Sequence, residues 1–276
     1  MQNDSVAYIT MKKVSFNELL DAGDHLAVEE PLEISIGYQS KEIPVKKCIS
    51  VTMRTPGNDD ELGAGFLFTE GIIQRRDEIA EDIAITCTNN KVLITLSKSK
   101  QPLLQHAERN FYTTSSCGVC GKSSIEAIRT TSIYQNEADE LCLKANLFYQ
   151  LHAVLREQQP LFARTGGLHA SALFDLDGNF MMLREDVGRH NALDKVIGAA
   201  FLDNRLPLRN TILLLSGRAS FELIQKAVMA GIKIVAAVGA PSSLAVQLAE
   251  EAGITLIGFL RNHRFNIYSG GQRIEL

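Results

Sequence analysis

The stretch TILLLSGRASFELIQKAVMAGIKIVAAVGAPSSLAVQLAEEAGITLIGF, residues 211–259, decides the fold class. Apolar runs at 211–215, 232–238 and 254–259 are strand-sized and nearly free of charge, as strands buried on both faces must be. Between them, residues 221–230 and 243–252 carry apolar side chains at helical spacing. Each helix ends at a glycine, Gly231 or Gly253, where a residue that tolerates the left-handed conformation closes the last turn. Such alternation predicts βαβ crossovers and a largely parallel sheet covered by helices. The class is α/β, or α+β when the whole chain is counted.

Working outward, residues 192–200 read as a helix with Leu193, Val196, Ile197 and Ala200 on one face. Residues 167–173 and 179–183 read as a hairpin across the turn 175–178, and the region from 143 to beyond 152 as a helix. Up to about residue 110 the chain is β-rich, with short runs at 32–36, 46–53, 83–87 and 91–96. A turn cluster, TPGNDD at 55–60, opens a helix over 61–73. This change of character divides the chain into a smaller β-rich domain, 1–112, and a layered α/β domain, 113–276.

Composition bounds the function. The chain has 276 residues, 45% hydrophobic and 22% charged, with 28 Lys+Arg against 32 Asp+Glu and a net charge of −4. That balance excludes a broad nucleic-acid or membrane-surface footprint but leaves room for a local basic pocket. No secretory signal opens the sequence, and its apolar runs fall far short of a membrane span. Five cysteines, an odd number, fit a reducing compartment, so a cytoplasmic, soluble protein is expected.

In open α/β sheets ligands sit beyond the carboxyl ends of the strands. The loops there are 216–220, 239–243 and 260–264, and the loop 185–191 can join them. They supply small residues for close backbone approach, Ser216 for capping, and Arg189, Arg218, Arg261 and Arg264 for charge. Guanidinium groups hold phosphates through paired hydrogen bonds, so the set suits a nucleotide pyrophosphate.

Cys117 and Cys120, in SSCGVCGK at 115–122, are the other signal. Two thiols at this spacing can exchange disulfides, hold half a zinc site or carry sulfur as a persulfide, and all three uses need thiolate. Lys122 and the N-terminus of a helix opened by Ser123 favour it. Zinc lacks a second ligand pair: Cys48, Cys87 and Cys142 are scattered and read as core thiols. His169, in TGGLHASAL, has no Glu two residues on, so the deaminase pattern is incomplete; the residue reads equally as core or pocket. A thioredoxin-like site is disfavoured by the mid-chain position of the pair.

The motifs RTPGNDDELGAGFLFTEGII (54–73), SSCGVCG (115–121), TGGLHASAL (165–173), EDVGRHNALDKVIG (185–198), SGRASFELIQKA (216–227) and APSSLAVQLAE through TLIGFLRNHRFNIY (240–268) together resemble the formate dehydrogenase accessory family, FdhD/NarQ. The resemblance implies a cytidine-deaminase-like domain without the deaminase zinc. It also implies a sulfurtransferase that takes persulfide sulfur from a cysteine desulfurase. The acceptor would be the molybdenum bis-guanine-dinucleotide cofactor, sulfurated before it enters formate dehydrogenase. Carried over, Cys117 would hold the persulfide and Cys120 would assist it. The stretch Phe259, Leu260, Arg261, Asn262, His263 and Arg264 would contact the cofactor, for which GDP is a mimic. Ser216, Arg218, Arg189 and His190 would complete that site. The implied partners are the desulfurase, the formate dehydrogenase apoenzyme and a second copy of the chain. The rival is a chaperone that binds the cofactor without thiol chemistry.

Overall fold

In the computed structural model the described residues are 5–81, 85–103, 132–134 and 140–276. The chain opens with an antiparallel ribbon of β1 (Val6–Ser15) and β2 (Glu18–Ala27), turned at Phe16 and Asn17, both at positive φ. Next come β3 (Glu30–Ser40), β4 (Ile43–Arg54), helix α1 (Asp59–Thr69), β5 (Ile85–Thr88) and β6 (Lys91–Thr95). The four strands form one sheet in the order β4-β3-β6-β5. Leu32, Ile34, Ile36, Val92 and Ile94 alternate onto the face that α1 covers, as period-2 patterning requires. Asp59, Asp60 and Glu61 place negative charge in the first turn of α1, where the helix dipole favours it.

The remainder builds a six-stranded sheet. After β7 (Leu143–Lys144) come α2 (Ala145–Glu157), α3 (Pro160–Thr165), β8 (His169–Asp175), β9 (Phe180–Asp186) and α4 (Arg189–Leu202). Then β10 (Thr211–Leu215), α5 (Phe221–Met229), β11 (Ile234–Ala237), α6 (Ser243–Glu251) and β12 (Thr255–Arg261) alternate. The chain closes with β13 (Arg264–Ser269) and β14 (Ile274–Glu275), the latter beside β7. The strand order is β13-β12-β11-β10-β8-β9. Only β10, β11 and β12 are parallel; β8, β9 and β13 each run antiparallel to a neighbour. The expected largely parallel sheet is thus corrected to a mixed one. The loop expected at 260–264 is corrected too: Leu260 and Arg261 end β12, Arg264 begins β13, and no helix follows.

Two apolar layers sandwich the six-stranded sheet. On one face Leu173, Leu213, Leu215 and Val235 meet α4, α5 and α6. On the other, Ala172, Phe174, Ile212 and Leu214 meet Phe148, Leu151 and Leu155 of α2. The first layer runs on without a break into the four-stranded sheet, because α1 packs directly on α4. Their crossing is set by two glycines. A Cβ on Gly65 would lie 1.9 Å from the Asp194 carbonyl oxygen, and one on Gly198 would lie 1.8 Å from that of Glu61. Only glycine at both positions lets the backbones touch.

Buried polar groups lock the same junction. Asp186 accepts from the Thr55 amide (3.1 Å), the Gly188 amide (2.8 Å) and the Asn191 side chain (3.1 Å), and pairs with Lys195 at 2.8 Å. Lys195 also donates to the Thr55 carbonyl at 2.9 Å. Below it, Lys226 bonds Asp194 and Thr69, each at 2.9 Å, and lies 3.6 Å from Glu70. Two carboxylates facing one buried ammonium hold Lys226 charged against the cost of its burial. The expected burial of the lone cysteines is corrected: Cys48, Cys87 and Cys142 are all exposed.

Candidate functional site at the carboxyl edge of the mixed sheet

Because β8 opposes β10, its first residue, His169, lies at the carboxyl edge of β10. The end of β9 lies there too, so the loop 187–188 delivers Arg189 and His190 to the same place. The loops after β10 and β11 run side by side. The Gly239 amide donates to the Gly217 carbonyl (2.8 Å), and the Ala219 amide to that of Ala240 (3.2 Å). Gly239 has no room for a side chain, since its Cβ would fall 2.9 Å from the Gly217 carbonyl. Phe259 continues the chain of contacts, its amide donating to the Gly239 carbonyl at 3.1 Å. It stands at φ +53°, a strained value for an aromatic residue, with its side chain 44% exposed.

The expected residues fall into two groups along this edge, three strand spacings or about 14 Å apart. At β8 and β10 stand Arg189, His190, Ser216 and Arg218. The Ser216 hydroxyl accepts from the Ala170 amide at 2.8 Å, which pins the loop. His190 is buried and turns toward α5, with its Nε2 3.5 Å from Ser220 Oγ and 3.9 Å from Glu222. Arg218 is exposed, and Arg189 is half-buried with its Nε inaccessible and without an acceptor. At the same end stands His169, which sequence reading left undecided, beside Gly217 and across from Asp186. Burial, and then the charges of Arg189 and Arg218, push its imidazole below the usual histidine range, with Asp186 opposing. The alternation of β8 was the available signal, since it puts His169 on the face of Ser171 and Leu173, under α4.

At β12 and β13 stand the other six. Leu260 is wholly buried and belongs to the core with Phe148 and Ile257. Arg261 donates through Nη1 to the carbonyls of Val238 (2.7 Å) and Leu260 (2.8 Å). Arg264 is its cross-strand partner, so two like charges face each other, an arrangement that a bound anion would relieve. The tip leans on α2: Asn262 hydrogen-bonds His152, and the His263 ring lies 6.0 Å from that of Tyr149.

Cys117 and Cys120 lie outside the described residues. On one side the last described residue is Leu103, whose amide donates to the Ile72 carbonyl at 3.0 Å. It is described again at Ser132, whose hydroxyl donates to the Met229 carbonyl at 3.4 Å, at the end of α5 remote from the carboxyl edge. Among the other thiols, crowding by protein and the nearby Asp60 and Asp59 push Cys87 up to about 11, although the residue reaches the surface. Burial and Glu33 raise Cys48 as well. Neither is a ready thiolate at neutral pH.

This geometry defines a class: a mixed-sheet α/β protein with a cationic, glycine-lined loop cluster at the carboxyl edge of its parallel strands. The chain belongs to the FdhD/NarQ family, whose model matches residues 27–275. It is 52% identical over 258 residues to the sulfur carrier protein FdhD of Mycolicibacterium paratuberculosis, covering 90% of this chain and 91% of that one. It is 44% identical over 253 residues to the protein of that name from Picrophilus torridus, covering 91% and 92%. A crystal structure of a candidate formate dehydrogenase accessory protein from Desulfotalea psychrophila matches with a TM-score of 0.73 at 25% identity, over 99% of this chain and 100% of that one. Among the described residues no helix is long and apolar enough to cross a membrane.

Proposed function

We propose that the protein carries sulfur from a cysteine desulfurase to the molybdenum bis-guanine-dinucleotide cofactor, its substrate, before that cofactor enters formate dehydrogenase. The observation that carries the reading is the carboxyl edge. There, Arg189, Arg218, Arg261 and Arg264 stand in two groups along one edge, with no ion pair among the described residues, in a family whose relatives are named sulfur carrier proteins. In the first step the Cys117 thiolate attacks the outer sulfur of the donor's persulfide. The donor's S–S bond breaks, its thiolate leaves, and Cys117 holds the new persulfide. In the second, the Cys120 thiolate attacks Cys117 Sγ. A disulfide forms, and the outer sulfur leaves as sulfide for the metal centre, the two thiols supplying two electrons.

The test is peptide mass spectrometry after incubation with a cysteine desulfurase and cysteine. The expected result is one added sulfur atom on the Cys117 peptide, removed by reductant and absent from Cys117→Ala. A wild-type protein that gains no sulfur yet binds guanine nucleotides would replace this reading with the chaperone.

A further inference from the structure

The basic residues at the β8–β10 end of the edge are arranged against ordinary practice. His169 pairs across the strands with Asp186 at the end of β9, three residues before Arg189 opens α4. Arg218 follows Gly217, whose Cβ would lie 3.3 Å from His169 Nδ1, so three groups able to carry positive charge share one corner. Asp186 is the nearby carboxylate, and it is already committed to Lys195, Asn191 and the amides of Thr55 and Gly188. On the facing elements, His190 of α4 lies 3.9 Å from Glu222 of α5, while Asp194 and Lys195 of α4 and Lys226 of α5 are bonded within the α1–α4 junction. Two buried polar atoms here have no partner among the described residues: the Nε of Arg189 and the hydroxyl of Ser171, a residue 1% exposed on the His169 face of β8. Gly217 keeps the corner open above the imidazole, since a Cβ there would lie 3.3 Å from His169 Nδ1.

We infer that His169, Arg189 and Arg218 form the seat for a phosphate group of the bound nucleotide, and that His169 takes up a proton as the phosphate binds. The inference rests on the nucleotide part of the reading above and adds a residue and a protonation step to it. Without ligand the two guanidinium groups oppose a third positive charge. A phosphate between them reverses the local field and favours the imidazolium, which then donates to a phosphate oxygen. Ser171 lies one inward step along the same face of β8. Asp186 also favours the imidazolium, but its oxygens are already bonded to Lys195, Asn191 and the amides of Thr55 and Gly188.

Calorimetric titration of the full chain with GDP, guanosine and inorganic diphosphate, in two buffers of different ionisation enthalpy, tests this. GDP and diphosphate should bind and guanosine should not, with net proton uptake in the wild type. Because the terminal phosphate itself titrates near pH 6, the decisive reading is the difference from His169→Gln. That variant should bind GDP more weakly below pH 7 and lose the uptake attributable to the ring, about tenfold in affinity for each unit of raised pKa. Arg189→Gln should weaken both phosphate ligands in parallel. Equal affinity and equal proton uptake in wild type and His169→Gln would overturn the seat and leave nucleotide binding standing. Failure of the wild type to bind GDP while Cys117 still loads sulfur would remove the seat and the nucleotide part together, without touching sulfur carriage.

Discussion

Gly65→Ala separates two forces of opposite sign. Helix propensity alone favours the change by about 1 kcal/mol, since Gly65 lies inside α1. The crossing with α4 opposes it. The added Cβ would lie 1.9 Å from the Asp194 carbonyl oxygen and 2.7 Å from its carbon, both backbone atoms that no rotamer change can move. Reaching even 3.0 Å requires α1 and α4 to part by about 1.1 Å. That movement loosens Leu62, Leu67 and Phe68 against Leu193 and Ile197. Overpacking costs typically 1–3 kcal/mol, and contact between two backbones belongs at or above the upper end. The net expectation is a loss of about 2 kcal/mol, or roughly 0.7 M in the urea midpoint for a slope of about 3 kcal/mol/M. Gly63→Ala is the control, because its Cβ meets the Val92 methyl groups at 2.9–3.1 Å and a side chain can yield. Since α4 begins at Arg189, Gly65→Ala should also weaken GDP binding. A Gly65→Ala protein as stable as the wild type, or more stable, would refute the role assigned to the crossing.

Asp186→Ala leaves a buried ammonium and three hydrogen-bond donors without their acceptor, so a loss of about 3–5 kcal/mol is expected in chemical unfolding. A loss under about 1 kcal/mol would show that water replaces the carboxylate. Burial holds both His152 and His169 below the ordinary histidine value. The unfolded chain therefore gains protons that the folded one refuses, and stability falls as pH drops through about 6.5. The paired variant His152→Gln/His169→Gln should flatten that fall in urea midpoints taken at about pH 7.5 and about pH 5.5. Cys87 should react with iodoacetamide at neutral pH far more slowly than a model thiol peptide, by mass spectrometry; equal rates would contradict the raised pKa.

The strands β10 and β11 and helix α5 were legible because each is buried and its periodicity reports that burial directly, and α6 because its few buried residues, Ala245 and Ala249, keep helical spacing. The ribbon of β1 and β2 was not. Tyr8, Val14, Leu19 and Leu20 are exposed among charged residues on both faces, so no alternation marks a core side. Its turn uses Phe16-Asn17 at positive φ, where Asn-Gly would have been readable. The hairpin at Asn262 and His263 was hidden too, because no glycine marks its turn. Sequence also grouped the charges of EDVGRHNALDK together, and the structure divides them. Arg189 reaches the ligand edge, whereas Asp186, Asp194 and Lys195 are locked to residues more than a hundred positions away. No local pattern encodes such partners. His169 was ambiguous because a histidine on a small-residue strand looks the same whether its neighbours are leucines or arginines.

The contact between α1 and α4 also governs how the protein is made. Thr69 and its partner Asp194 are 125 residues apart in the chain. At roughly 5–20 residues per second, a ribosome needs about 6–25 s to supply the second after the first. Through that interval the apolar face of α1 has only the small sheet of β3 to β6 to cover it, and its Gly65 surface waits for a helix not yet synthesised. Folding is therefore a late event in translation, and the emerging N-terminal third is a natural client for chaperones that shield apolar surface until the chain is complete.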